Sequence, residues 1–177
     1  MQVSYTTTVE DFVFFSRYCA KKSATLWAMF LFGWLAVPII AVGAAVGVAM
    51  IDGLWPISIV IVISGLLFAL IYPPIYRAWY DGTIRAYVRE KGTRGMIGPI
   101  TLILSDDRLV EITETTRSEV RWEDMKGIDV VDDYTFIFVT GLTAAIIPRH
   151  GFEFGDDYEA VRDFARSKLN STQSQTD

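Results

Sequence analysis

With 177 residues, the chain has room for one ordinary domain or for a smaller one plus membrane spans. Apolar residues make up 51%, a share high for a water-soluble domain, and their crowding between Ser23 and Tyr76 selects the second option. The formal charge of −5 hides an asymmetry: residues 1–94 carry eight Lys or Arg against five Asp or Glu, and residues 95–177 carry eight against sixteen. A basic half therefore precedes an acidic one, which disfavours nucleic acid as a partner of the acidic half, because phosphate binding rewards cations. The lone Cys19 excludes an internal disulfide or a Cys-rich metal site, and any His-based metal site or His-activated nucleophile would rest on His150 alone.

Residues 1–22 begin with a short strand at 3–7. Thr7 and Glu10 have capping-box spacing, so a helix is expected from about Thr8 with Phe12, Phe15 and Cys19 on one face. Residues 23–76 follow as two uncharged runs, 23–51 and 53–76, interrupted only by Asp52. Each exceeds the ~20 apolar residues a helix needs to cross a bilayer, and neither keeps the polar stripe of a helix at a water-exposed surface. Asp52 and Gly53, with Trp55 and Pro56 behind them, supply a tight reversal, so the expectation is a two-pass helical hairpin. Arg17, Lys21 and Lys22 before it, with Arg77 and its successors after it, place both termini on the cytoplasmic side. A cleaved signal peptide is the competing reading, weakened by the long first segment and the immediate second span.

Inside the hairpin, Gly43 and Gly47 form a GxxxG pair, and Gly65 and Ala69 a small-xxx-small pair; they are the candidate helix-packing residues, within one hairpin or between copies. The uncharged runs disfavour a single-chain transporter, since ion and proton pathways leave intramembrane charges. Residues 77–94 form a basic amphipathic helix, and Arg77, Arg85, Arg89, Lys91 and Arg94 are candidate lipid-facing cations at about 1 kcal/mol each near an anionic surface. Topology alone also accounts for them. The glycines at 92, 95 and 98 mark a hinge.

From residue 95 to 169 the apolar period changes to alternation. Strands are expected at 100–104, 109–115, 118–122, 127–131, 134–140 and 143–148, with short connections that imply an antiparallel meander. Residues 134–139 are apolar on both alternations and should form a central strand covered on both faces. A closing helix over about 156–169 would turn Tyr158, Val161, Phe164 and Ala165 toward the sheet, with Arg166 and Lys168 complementing its dipole. The polar tail 170–177 is expected to be disordered. The acidic half is thus an α+β cytoplasmic domain, its antiparallel sheet like part of a pleckstrin-homology barrel, with strand 3–7 as the natural supplier of a missing strand.

The Asp pairs at 106–107, 132–133 and 156–157 lack the spacing of a calcium loop and suit turns and helix starts. Trp122, Arg149 and His150 are candidate partner-surface residues, although the sequence reads first as a sheet anchor at Trp122 and a solvated turn at Arg149-His150. No phosphate-binding glycine loop, HExxH or nucleophile elbow is present, so the chain is expected to be no enzyme and to hold no cofactor.

Residues 101–107 (TLILSDD), 119–124 (EVRWED) and 145–149 (AIIPR), with Phe152, resemble the C-terminal domain of the YcxB-like family of small bacterial membrane proteins. The Asp11-Phe12 segment and the paired spans are arranged similarly. His150-Gly151 stands where a basic or small pair is more usual. The resemblance implies the bacterial plasma membrane and this architecture, without supplying chemistry. The functional expectation is a membrane-anchored, non-enzymatic interaction or regulatory module meeting the bilayer and an unidentified protein partner. The alternative is a homo-oligomeric small pore or transporter-associated subunit.

Overall fold

The computed structural model describes residues 1–90 and 97–173. The elements run β1 (Gln2–Thr7), α1 (Val9–Lys22), α2 (Ala24–Ala49), α3 (Trp55–Glu90), β2 (Gly98–Leu104), β3 (Arg108–Ile112), β4 (Arg117–Arg121), β5 (Gly127–Val131), β6 (Tyr134–Phe138), β7 (Ala144–Pro148) and α4 (Gly155–Gln173). They gather into two compact units, one of Met1–Ser16 with Tyr87–Asp177 and one of Arg17–Ala86.

In the first unit, β1 pairs antiparallel with β2, from Gln2 opposite Ile103 to Thr7 opposite Gly98. Its alternation sends Val3, Tyr5 and Thr7 inward, onto the face where β2 places Ile100, Leu102 and Leu104. The first strand therefore belongs to the later sheet, and both long apolar helices are inserted between two paired strands. The expected single sheet is instead two, a four-stranded one in the order β1-β2-β3-β4 and a three-stranded one in the order β5-β6-β7. The break falls where the chain leaves β4 through a 3-10 turn at Trp122–Asp124 and enters β5 at Gly127, whose φ of +157° suits glycine.

As expected, β6 is central and covered on both faces. Ile137 points into the core between the sheets, and Phe136 points the other way, under Phe15 of α1 at 5.2 Å between ring centres. α4 seals the core with Tyr158, Val161, Ala165 and Leu169. It continues through residues 170–173, which had been expected in a disordered tail; residues 174–177 lie outside the described residues. The extension takes Arg166 and Lys168 out of the last turn, and Lys168 instead bonds Asp106 in the β2–β3 connection at 2.5 Å.

The capping box of α1 lies one residue later than its spacing suggested. Thr8 Oγ1 accepts from the Asp11 amide at 3.4 Å, and Asp11 Oδ2 accepts from the Thr8 amide at 2.7 Å. This register buries Asp11, Val13 and Phe15, while Phe12 stays half-buried.

In the second unit, α2 and α3 are each long and apolar enough to cross a membrane. They run antiparallel: Trp34 Nε1 donates to the Ala69 carbonyl at 2.8 Å, and Gly65 lies against Pro38 and Ala41. Gly33, which the sequence pattern did not single out, is where a Cβ would strike the Tyr72 ring. Gly43 and Gly47 have nothing beside them, so of the four expected packing residues only Gly65 and Ala69 are in the seam. The reason is phase: the seam follows Trp34, Pro38, Ala41 and Ala45, and the glycine pair falls on another face of α2. α3 continues through Pro73 and Pro74 without ending, so the expected span and basic helix form one element. Arg17 grips Asp81 of α3 with two hydrogen bonds, the one from Nε at 2.6 Å and the other from the terminal nitrogen.

Gly65→Val is expected to force the two helices apart at a cost of about 1–3 kcal/mol, whereas Gly43→Val leaves the pair intact. Disulfide crosslinking between cysteines placed at Trp34 and Ala69, in a Cys19→Ser background, checks this: the bond should form with Gly43→Val and be lost with Gly65→Val.

Candidate functional site

The chemistry-bearing side chains of the sheet domain meet where α1 begins and β7 ends. Asp11 is 1% exposed. A buried carboxylate is tolerated only when its lone pairs are filled, and here they are. Oδ2 accepts from the Thr8 amide at 2.7 Å and the Thr8 hydroxyl at 2.9 Å, and Oδ1 accepts from the Tyr134 hydroxyl at 2.9 Å. His150 Nε2 stands 3.3 Å from the same Oδ1. Tyr134 is held in place by stacking on Phe14 at 4.3 Å and by the edge of the His150 ring. The cluster therefore joins α1, β6 and the turn after β7.

Arg149 and His150 sit in a 3-10 turn (Arg149–Gly151) positioned by the buried Pro148 and by the Arg149 amide, which donates to the Asp133 carbonyl at 2.8 Å. The Arg149 guanidinium lies 3.3 Å from Glu159 and 3.8 Å from Asp133, and over the Tyr158 ring. Arg149 and His150 thus both have acidic partners within the fold, as residues of a structural turn do. Gly151 is fixed by close approach, because a Cβ there would strike the backbone of Thr6 in β1.

Trp122 is not with them. It is 3% exposed, its Nε1 donates to the Ser105 carbonyl at 2.9 Å, and Phe164 of α4 packs beside it. The anchor reading holds and the surface reading fails, because the ring fills the gap between β4 and α4. Of the candidate cations, Arg77 and Arg89 are exposed and Arg85 is half-buried on α3; Lys91 and Arg94 lie outside the described residues. Asp11 and Tyr134 were missed as a pair. The spacing Thr8-x-x-Asp11 was available as a capping-box signal, whereas Tyr134, 123 residues away, left no local sign.

An imidazole beside a buried carboxylate invites a hydrolytic reading. The geometry argues against it, because a nucleophilic hydroxyl must bond to the imidazole, and the hydroxyl present donates to the carboxylate instead. Among the described residues, no three His, Cys, Asp or Glu side chains converge as a metal site requires. What the cluster does is lock α1 to the second sheet.

The Tyr134 hydroxyl is pushed up to about 12 by burial first, then by its bond to Asp11 and the charges of Asp11, Asp133 and Glu10. A proton held more tightly in the folded state contributes stability below the ordinary tyrosine value, lost as pH climbs through about 12. Asp11→Asn should bring the Tyr134 transition down toward its ordinary value, a shift that ultraviolet titration of the phenolate reads.

Residues 104–165 match the family described as YcxB-like protein. The match runs from the end of β2 into α4 and so falls on the sheet domain. No curated protein and no solved structure matches the chain.

Proposed function

We propose, for a chain whose C-terminal part is a YcxB-like domain, the role of a membrane-anchored interaction or regulatory module without catalytic activity. The observation that carries this reading is the bare apolar surface of α2 and α3: Phe32 is 77% exposed, Leu70 74% and Ile40 69%. Core helices of a water-soluble protein cover such side chains, and a hydrocarbon environment covers them here. With Arg17, Lys21 and Lys22 before the helices and Arg77, Arg85 and Arg89 after, against Asp52 in the turn, the hairpin enters and leaves on the cytoplasmic face of a bacterial plasma membrane. The four-plus-three strand arrangement closed by α4 supports a pleckstrin-homology-like sandwich for the cytoplasmic domain. Its acidic balance suits a basic protein surface better than a phosphorylated lipid.

A second reading, self-association through the spans, is favoured by the open Gly43–Gly47 face of α2. Crosslinking and affinity isolation from native membrane at natural abundance decide between them. Reproducible capture of a different protein supports the module, and capture of this chain alone supports the oligomer. Labelling of terminal cysteines from outside intact cells would overturn the orientation.

A further inference from the structure

The core between the two sheets is incompletely filled. α4 closes it at the end where Lys168 meets Asp106. Toward the other end, marked by the β3–β4 and β6–β7 turns, the walls carry short side chains, among them Thr7, Ser118, Thr143 and Ala145. They leave a cavity of about 340 Å³, within the size range of small-molecule sites. Its body is apolar, formed by Ile100, Leu109, Val120, Met125 and Ile137.

Among the described residues one charged side chain lines it, Glu111 of β3. Glu111 lies opposite Leu102 in the register and shares the inward face with Leu109, a position where the alternation calls for an apolar residue. Its carboxyl has no hydrogen-bond partner among the described residues. The Tyr5 hydroxyl, on the same inner face, is fully buried and likewise unpartnered. Glu111 is half-buried, whereas the fully buried carboxylate of this domain, Asp11, is satisfied by four contacts. A lone carboxyl on an apolar wall costs stability and does nothing for packing, which is the signature of a group kept for a ligand.

We propose that this cavity binds a small apolar amine, a protonated nitrogen on a hydrocarbon or aryl body, with Glu111 as its counter-ion. The walls offer acceptors, the Glu111 carboxyl and the Ser118 hydroxyl, while the Thr113 and Thr116 hydroxyls are engaged within the β3–β4 turn. An ammonium supplies three donors and the compensating charge, whereas an acid would set like charges together. The net acidity of the domain draws cations toward the mouth. Burial lifts the Glu111 carboxyl above the usual range, and its charge adds to burial in lifting the Tyr5 hydroxyl, as unpaired groups in an apolar wall should behave. The site is independent of how the chain is anchored.

The test uses the full chain in lipid nanodiscs, with methyl resonances of Ile100, Leu109 and Ile137 reporting the cavity and those of Ile40 and Leu70 reporting partition into lipid. Phenylbutylamine, phenylbutanol and phenylbutyrate are titrated in parallel. The amine should shift the cavity methyls saturably and bind about tenfold tighter than the alcohol, the equivalent of one charge-assisted contact. Phenylbutyrate should not bind. Glu111→Gln should reduce the amine to the affinity of the alcohol and leave the alcohol unchanged. Ser118→Leu, at a surface strand position that lines the cavity, should remove both ligands by occupying their space. Shifts confined to Ile40 and Leu70, equal affinity of amine and alcohol, or undiminished amine binding in Glu111→Gln would each overturn the proposal. If Glu111→Gln loses its dispersed methyl spectrum, amine binding that survives Ser118→Leu overturns it, and loss there sustains it.

Discussion

Phe136→Ala is expected to cost the sheet domain about 3–5 kcal/mol. Phe136 is fully buried on the central strand β6 and is ringed by Phe15 at 5.2 Å, Tyr134 at 5.9 Å, Phe14 at 6.3 Å and Phe138 at 6.4 Å. Removing the ring opens a void between β6 and α1 that rigid aromatic neighbours fill poorly. Hydrogen exchange followed by mass spectrometry on the chain in nanodiscs measures the loss locally. Amides of β5, β6 and β7 should exchange roughly a thousandfold faster, the factor that about 4 kcal/mol implies. Those of α2 should not change. Unaltered protection in β6 would show that α1 is held by other contacts.

Asp11→Ala is expected to cost about 3 kcal/mol, by a different route. The change removes little volume. It leaves the Thr8 amide without its cap, the Tyr134 hydroxyl without an acceptor and His150 without its carboxylate. The penalty is that of stranded polar groups, so Asp11→Asn, which keeps an acceptor oxygen, should cost about half as much. Thermal unfolding of the three proteins ranks them. A Tyr134→Phe partner closes a double-mutant cycle, and zero coupling would remove the hydrogen bond from the account.

The strands were legible because two-residue alternation and Asp- or Gly-bearing turns are local signals. The structure places strands at each of the six segments read from that pattern, within a few residues at their ends. The division into two sheets was not legible, because it depends on whether β4 continues to pair after the 3-10 turn at Trp122–Asp124, a matter of backbone direction that composition does not encode. The hairpin shows the same limit. Small residues at four-residue spacing occur on several faces of α2, and which face meets α3 was set by Trp34, Pro38 and Ala41, not by the glycine pair. The Asp11 cluster was the hardest to see. Its capping half is encoded within four residues, and its Tyr134 and His150 half is encoded by the fold alone.

The pairing of β1 with β2 sets a schedule for the ribosome. Gln2 and its partner Ile103 are made about a hundred residues apart, on the order of ten seconds at ordinary elongation rates. Through that interval β1 has no sheet to join, while both apolar helices are completed and claim their own environment. The sheet can take in β1 only when β2 arrives, so β1, made before both apolar helices, is paired after them. A truncation or stall anywhere before residue 98 therefore leaves two long apolar helices preceded by an unpaired strand, a recognisable substrate for quality-control proteases.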